Sequence, residues 1–186
     1  MVDEVLFSSM NRNWGTPTYL FNWLDEAYNF DYDAAANEND TLCPVFLDSC
    51  LNVDWPEGVA YMNPPYGKSE RPCKPGCLKK KCVHRGYHLT DHIPGTLDFV
   101  KKAYEQSLRG ITVVCLLPVR TDTTWFNEYV SKASRLIFLK GRLRFKNAKN
   151  TAPFPSMIVV FNEPDYLRLG QRVDYMQVGD QLNVLS

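Results

Sequence analysis

Apolar residues recur at helical spacing over residues 16–28, where Leu20, Phe21, Trp23, Leu24 and Ala27 follow Pro17, a residue suited to a first turn; the pattern predicts an opening amphipathic helix. Residues 30–35 alternate apolar and polar positions before a run of small residues, which predicts a short strand ending near Asp33. A second short strand is expected at Val45-Phe46-Leu47, ending at Asp48. Val59-Ala60-Tyr61-Met62, bounded by Gly58 and by prolines, reads as a buried strand, and the continuous apolar run 111–117, stopped by Pro118, as a buried central one. Between them, residues 96–108 predict a helix that stops at Arg109-Gly110. Further along, residues 124–130 are expected to be helical, 135–139 and 142–145 to be strands around Gly141, and 157–161 to be a strongly β run. From Asn162 onward polar and apolar residues mix without a clear period, so the tail is expected to be an appendage. Strands alternating with helices imply an α/β fold around a largely parallel sheet, and no internal repeat is visible.

The strand 59–62 delivers Asn63-Pro64-Pro65-Tyr66 at its C-terminal end, where open α/β sheets bind ligands. Each residue before a proline is pushed out of the helical region, and each proline has its own φ fixed near −65°, so this loop is stiff before any substrate arrives. Its acceptors are the carboxamide oxygen of Asn63 and the backbone carbonyl of Pro64, two in-plane groups that match the two hydrogens of one amino group. An aromatic exocyclic amine is a poor nucleophile because its lone pair is delocalised into the ring. Hydrogen bonds to both N–H groups favour pyramidalisation and free that pair to attack an activated methyl. Tyr66 is expected to stack on the base, an interaction worth about 1–3 kcal/mol. The alternative, a rigid turn or polyproline ligand, explains the stiffness but not the paired acceptors.

A chain of 186 residues with 45% hydrophobic content is sized for one domain with a substantial core, expected to span residues 1–186. No stretch approaches the length of a membrane span, and Met1-Val2-Asp3-Glu4 lacks the basic start of a secretory signal, so a cytoplasmic location is expected. Formal net charge is zero, so any affinity for a polyanion must come from local clustering. Lys68, Arg71, Lys74, Lys79, Lys80, Lys81 and Arg85 share one segment opposed only by Glu70. Lys140, Arg142, Arg144, Lys146 and Lys149 form a second, acid-free run. Either run could grip phosphates or be a solvated surface.

These residues resemble a known family, the phage-type (Dam-like) DNA N-6-adenine methyltransferases. Trp14-Gly15-Thr16-Pro17 is similar to the family's opening element, Asp33-Ala34-Ala35 to its acidic strand end, and residues 51–55 to the segment before its strand and Asn-Pro-Pro-Tyr loop. Gly141-Arg142 with Phe145, then Pro153-Phe154-Pro155-Ser156 before an apolar strand, complete the order. The resemblance implies a Rossmann-like, S-adenosylmethionine-dependent enzyme that transfers methyl to N6 of adenine in double-stranded DNA, with Asn63, Pro64, Pro65 and Tyr66 as the catalytic loop. The paired target base must then be flipped out, at a cost of a few kcal/mol. One departure stands out: upstream of the loop only Gly15 and Gly58 occur, and neither can form the glycine-rich turn that usually cradles the cofactor. The expected cofactor contacts are therefore carboxylates at strand ends, Asp33 and Asp48, with Thr16 and Pro17 near the methionine portion and Trp14 as either a contact or a core aromatic.

Cys73, Cys77 and Cys82 crowd into one short segment followed by His84, His88 and His92. Zinc favours four such ligands in a tetrahedron, and a loop rich in Pro, Gly and Lys cannot build a core of its own. Residues 68–95 are accordingly expected to be a small basic, zinc-binding insertion that faces DNA, folded by a structural Zn2+. His84 could point to the same face as Cys82 in an extended chain. His88 allows a turn at Gly86 and fits the inserts of similar family members, and is the expected fourth ligand. Disulfides are the competing reading, disfavoured in a reducing compartment. Cys43, Cys50 and Cys115 show no ligand spacing and are expected to be buried small hydrophobes. Two other functions remain open on sequence alone: methylation of RNA or of a protein glutamine, and an inactive zinc-bearing nucleic-acid-binding protein.

Overall fold

The computed structural model describes residues 14–146, 148–163, 172–177 and 184–185. In chain order the elements are α1 (Thr18–Tyr28), β1 (Tyr32–Asp33), β2 (Val59–Met62), α2 (Lys80–Arg85), α3 (Thr96–Ser107), β3 (Thr112–Pro118), α4 (Thr124–Glu128) with a following 3-10 turn (Val130–Lys132), β4 (Arg135–Lys140), β5 (Ser156–Phe161), β6 (Arg172–Gln177) and β7 (Val184–Leu185). The strands form one sheet in the order β1-β2-β3-β5-β4-β6-β7. β1, β2 and β3 are mutually parallel; β5 runs antiparallel to both β3 and β4, so β4 shares the direction of β3.

Burial on both faces explains the uninterrupted apolar runs of the central strands. On β3, Val113, Cys115 and Leu117 face one cluster while Val114 and Leu116 face the other. β5 divides the same way, with Met157, Val159 and Phe161 opposite Ile158 and Val160. The first face is covered by Phe99, Val100 and Ala103 of α3 with Trp125 of α4, and the second by Leu20, Phe21, Leu24 and Tyr28 of α1. Each such side chain contributes about 1.5–3 kcal/mol on burial, so the helical stripes are what clamp α1 and α3 to the sheet. α1 begins at Pro17, whose carbonyl accepts from the amides of Leu20 and Phe21 (both 3.1 Å), and ends at Asn29, which takes a left-handed conformation (φ 53°).

Three expectations are corrected. Residues 142–145 are not a strand: Leu143 and Phe145 turn inward and Arg142 and Arg144 outward, but Gly141 (φ 101°) leads the chain out of the sheet. The segment's neighbours are then the opening residues, through a single bridge between Lys146 and Gly15. Val45-Phe46-Leu47 amounts to one bridge between Phe46 and Asp33 at the outer side of β1. The tail is no appendage. β6 pairs in parallel with β4 over six residues, and β7 adds outside it. Polar fastening replaces apolar patterning there: Arg135 of β4 donates to Asp174 of β6 (2.7 Å) and to Glu163 (3.1 Å), which also accepts from the Tyr28 hydroxyl (3.0 Å).

Residues 68–95 leave and rejoin the domain at one point. Glu70 and Ile93 exchange backbone hydrogen bonds (2.8 and 2.9 Å), and Gly95 lies so close to the departing chain that a Cβ there would fall 2.4 Å from the Ser69 nitrogen. Only glycine permits that closure.

Candidate active site

A cleft opens outside the C-terminal ends of β1 and β2. One wall is the tetrapeptide, through Asn63, Pro64 and Pro65; the second is the opening element, Trp14-Gly15-Thr16; the third is the turn after β1, with Asp33, Ala35, Ala36, Asp40 and Leu42. Of the expected cofactor residues, the structure thus brings Trp14, Thr16 and Asp33 to the tetrapeptide. Pro17 instead caps α1 and lines a separate groove with Arg144, Lys146 and Lys149, and Asp48 is exposed and lines neither.

Asn63 is held from both ends. Its amide nitrogen donates to the Trp14 carbonyl (2.5 Å) and to Thr16 Oγ1 (3.0 Å), while its carboxamide oxygen accepts from the Tyr66 hydroxyl (2.9 Å). Thr16 Oγ1 in turn pairs with the hydroxyl of Tyr61 at 2.6 Å, a residue of β2 whose side chain is fully enclosed. The carboxamide oxygen has two lone pairs, so one remains for a ligand. Tyr66 also reaches the Leu116 carbonyl (3.1 Å), and its ring packs edge-on to Phe145 and Phe154. In this arrangement Tyr66 is buried, its hydroxyl bonded to Asn63 and its ring set against Phe145 and Phe154. Burial drives the hydroxyls of Tyr61 and Tyr66 well above the ordinary tyrosine range, so both stay protonated donors.

Asp33 is 5% exposed, and desolvation lifts its carboxyl to about 7, against the pull of the Ala35 and Leu42 amides and with a smaller push from Asp40. A buried carboxylate poised near neutrality favours a cationic or hydroxyl-bearing ligand that restores what water no longer supplies. In the turn after it, Ala34-Ala35-Ala36, Ala35 and Ala36 form cleft wall. Ala35 was noted only as part of the acidic strand end, and Ala36 and Asp40 were not singled out from the sequence. The run of three small residues after an acidic strand end was the available signal.

In the insertion, the ligand atoms of Cys73, Cys77, Cys82 and His88 all lie within 4.8 Å of one another, whereas His84 is outside this group. Sγ of Cys82 is 3.4 Å from that of Cys73 and 3.7 Å from that of Cys77. Thiolates 2.3 Å from one tetrahedral zinc would stand about 3.8 Å apart. The Leu89 amide and Arg85 Nη2 point at the sulfurs of Cys73 and Cys82 (3.4 and 3.3 Å), the donors that stabilise thiolate ligands. The donor set therefore fits a zinc ion. Cys43, Cys50 and Cys115 are buried as expected, and desolvation pushes the thiols of Cys43 and Cys50 up to about 12. The foot of the insertion is tied to the tetrapeptide: Thr96 Oγ1 accepts from the Gly67 amide (3.0 Å) and donates to the Pro65 carbonyl (3.3 Å).

A rigid, amide-bearing loop closing a cleft at the open edge of an α/β sheet defines a ligand-binding enzyme core. Residues 6–178 match the family described as DNA N-6-adenine-methyltransferase (Dam), and the chain belongs to that family. It is 28% identical over 160 residues to the DNA N-6-adenine-methyltransferase of Haemophilus phage HP1, covering 80% of this chain and 77% of that one. It is 27% identical over 135 residues to the DNA N-6-adenine-methyltransferase of Escherichia phage T1, covering 70% of this chain but only 45% of the relative. Among solved structures, the type I restriction-modification methyltransferase subunit of Streptococcus thermophilus overlays with a TM-score of 0.38 at 16% identity, over 81% of this chain and 34% of that one, an overlap too loose to bear on the fold. Among the described residues no helix is long and apolar enough to cross a membrane.

Proposed function

We propose that this chain transfers a methyl group from S-adenosylmethionine to N6 of an adenine extruded from double-stranded DNA. The observation that carries the reading is the restraint of Asn63: its amide nitrogen is bound to Trp14 and Thr16, which fixes its oxygen as the acceptor end, with one lone pair left beyond the bond from Tyr66, one residue before the Pro64 carbonyl. Among the described residues no hydrogen bond takes up that carbonyl. Two acceptors fixed in place can take both hydrogens of one amino group, and catalysis is then mainly orientation, since no strong base lies in the loop. The methyl donor supplies the electrophilic carbon when bound. Asp33 accepts from its ammonium or ribose hydroxyls, while Thr16 and Trp14 close the other wall.

Cys73, Cys77, Cys82 and His88 hold a structural zinc that folds residues 68–95, and the basic residues of that insertion together with Arg142, Arg144, Lys146 and Lys149 grip the phosphate backbone. Phosphate contacts offset the cost of extrusion. The test is labelled methyl transfer to DNA, RNA and total protein in parallel. Label confined to adenine in DNA is the expected result; label on RNA or glutamine, or none with calorimetrically silent cofactor, overturns the proposal.

A further inference from the structure

We infer that the tip of the cysteine insertion is an apolar wedge that enters the base stack of double-stranded DNA beside the extruded adenine. The inference rests on the methyl-transfer reading above. Within residues 78–87 three large apolar side chains stand in solvent: Leu78 is 88% exposed, Val83 71% and Tyr87 60%. None is a ligand of the Cys3His cluster, and the cluster encloses only Cys82. Leaving a leucine in water forgoes about 2 kcal/mol of burial, with no compensating role in folding the insertion.

The surroundings specify what covers these side chains. Arg71, Lys74, Lys79 and Lys80 are exposed on the same insertion, while its nearby acid, Glu70, is engaged by Lys81 (2.6 Å) and Arg85 (3.3 Å). An apolar tip ringed by cations complements a polyanion with an apolar interior, which is the chemistry of a stacked duplex. Proteins that insert leucine or similar side chains between base steps spend a few kcal/mol on unstacking and gain a distorted helix that yields a base more readily. The insertion that carries these side chains is also joined to the tetrapeptide. Its foot is hydrogen-bonded to the loop that would receive the adenine, through Thr96, Pro65 and Gly67. A metal held by Cys73, Cys77, Cys82 and His88 would give the tip the stiffness that insertion demands.

The experiment uses two duplexes built around the methylated sequence found by mapping modified adenines in a methylation-deficient host. They differ only opposite the target, thymine in one and an abasic position in the other. Leu78→Ser and Val83→Ser are expected to lose roughly tenfold in kcat/KM on the paired duplex, as losing part of the unstacking work implies, and to return to near wild-type rates on the abasic one. Both should keep one zinc per chain. Wild-type rates for both variants on the paired duplex, or equal losses on the two duplexes, overturn the wedge. Absence of any methylated adenine with wild-type protein overturns the underlying reading as well, so the two failures are distinct.

Discussion

The tetrapeptide corner and the cysteine insertion are joined at Thr96, yet they are held by opposite means. Asn63 and Tyr66 are fixed by a core that already exists: Tyr66 lies among Phe145 and Phe154, and its hydroxyl reaches the central strand at Leu116. Residues 68–95 bury almost nothing apolar and converge on three sulfurs and an imidazole. Local order can thus be inherited from the sheet or generated by a ligand cluster, and the two should fail independently.

The sharpest way to break the comparison is at the corner itself. Asn63→Ala should lower kcat by about 10²–10³-fold, the scale of removing one hydrogen bond aimed at the reacting group, while calorimetric affinity for S-adenosylmethionine stays within a few-fold. Near wild-type turnover would remove Asn63 from the chemistry. Next in size, Cys77→Ser or a chelator should take bound zinc from near one per chain to near zero and open residues 79–81 to trypsin, while the main thermal transition of the sheet persists. Loss of both together would mean the insertion is part of the core.

Tyr66→Phe isolates the brace. It should cost about tenfold in kcat, as one lost hydrogen bond of about 1–1.5 kcal/mol implies, with little change in melting temperature, whereas Tyr66→Ala should cost about 3–5 kcal/mol of stability. Near wild-type turnover for Tyr66→Phe beside a large kinetic loss for Tyr66→Ala, without destabilisation, would favour the stacking role instead. The smallest effect belongs to Asp33. Its carboxyl is raised to about 7 when folded from 3.8, so its favourable contribution to the ligand-free protein is complete below about 4 and disappears as pH rises through about 7. Wild-type melting temperature should decline over that window by several degrees more than Asp33→Asn, and cofactor binding near pH 6 should release a proton in wild type only. A pH-independent difference between the two would place no titration at Asp33.

Much of this architecture is legible in the order of residues because β2, β3 and β5 are buried on both faces and leave long apolar runs. β6 escaped notice for a physical reason: Val173 is exposed, Met176 buried, and the strand is fastened to β4 through Arg135 and Asp174, so no run forms. Residues 142–145 misled in the opposite sense. Their alternation records a real inward and outward division, but Leu143 and Phe145 point at Trp14 and the loop aromatics across the end of the sheet. The three cysteines were readable from their spacing, whereas the choice of His88 over His84 leaned on the turn at Gly86 and on the family resemblance. The bracing of Tyr66 was not, because a ring's partners are set by residues some 80–90 positions away in the chain.

The double tether on the Asn63 nitrogen has a further consequence for selectivity. Because the Trp14 carbonyl can only accept, it demands a donor there, and rotating the carboxamide to present its own N–H groups outward would forfeit that bond and the one to Thr16. A ring carrying a lactam oxygen where adenine carries its amine, as in hypoxanthine or guanine, would meet two fixed oxygens with a third and be repelled. On the proposed reading the polarity of the pocket would be locked from the protein side, so that discrimination against such oxygen-bearing rings would be a property of the unliganded fold.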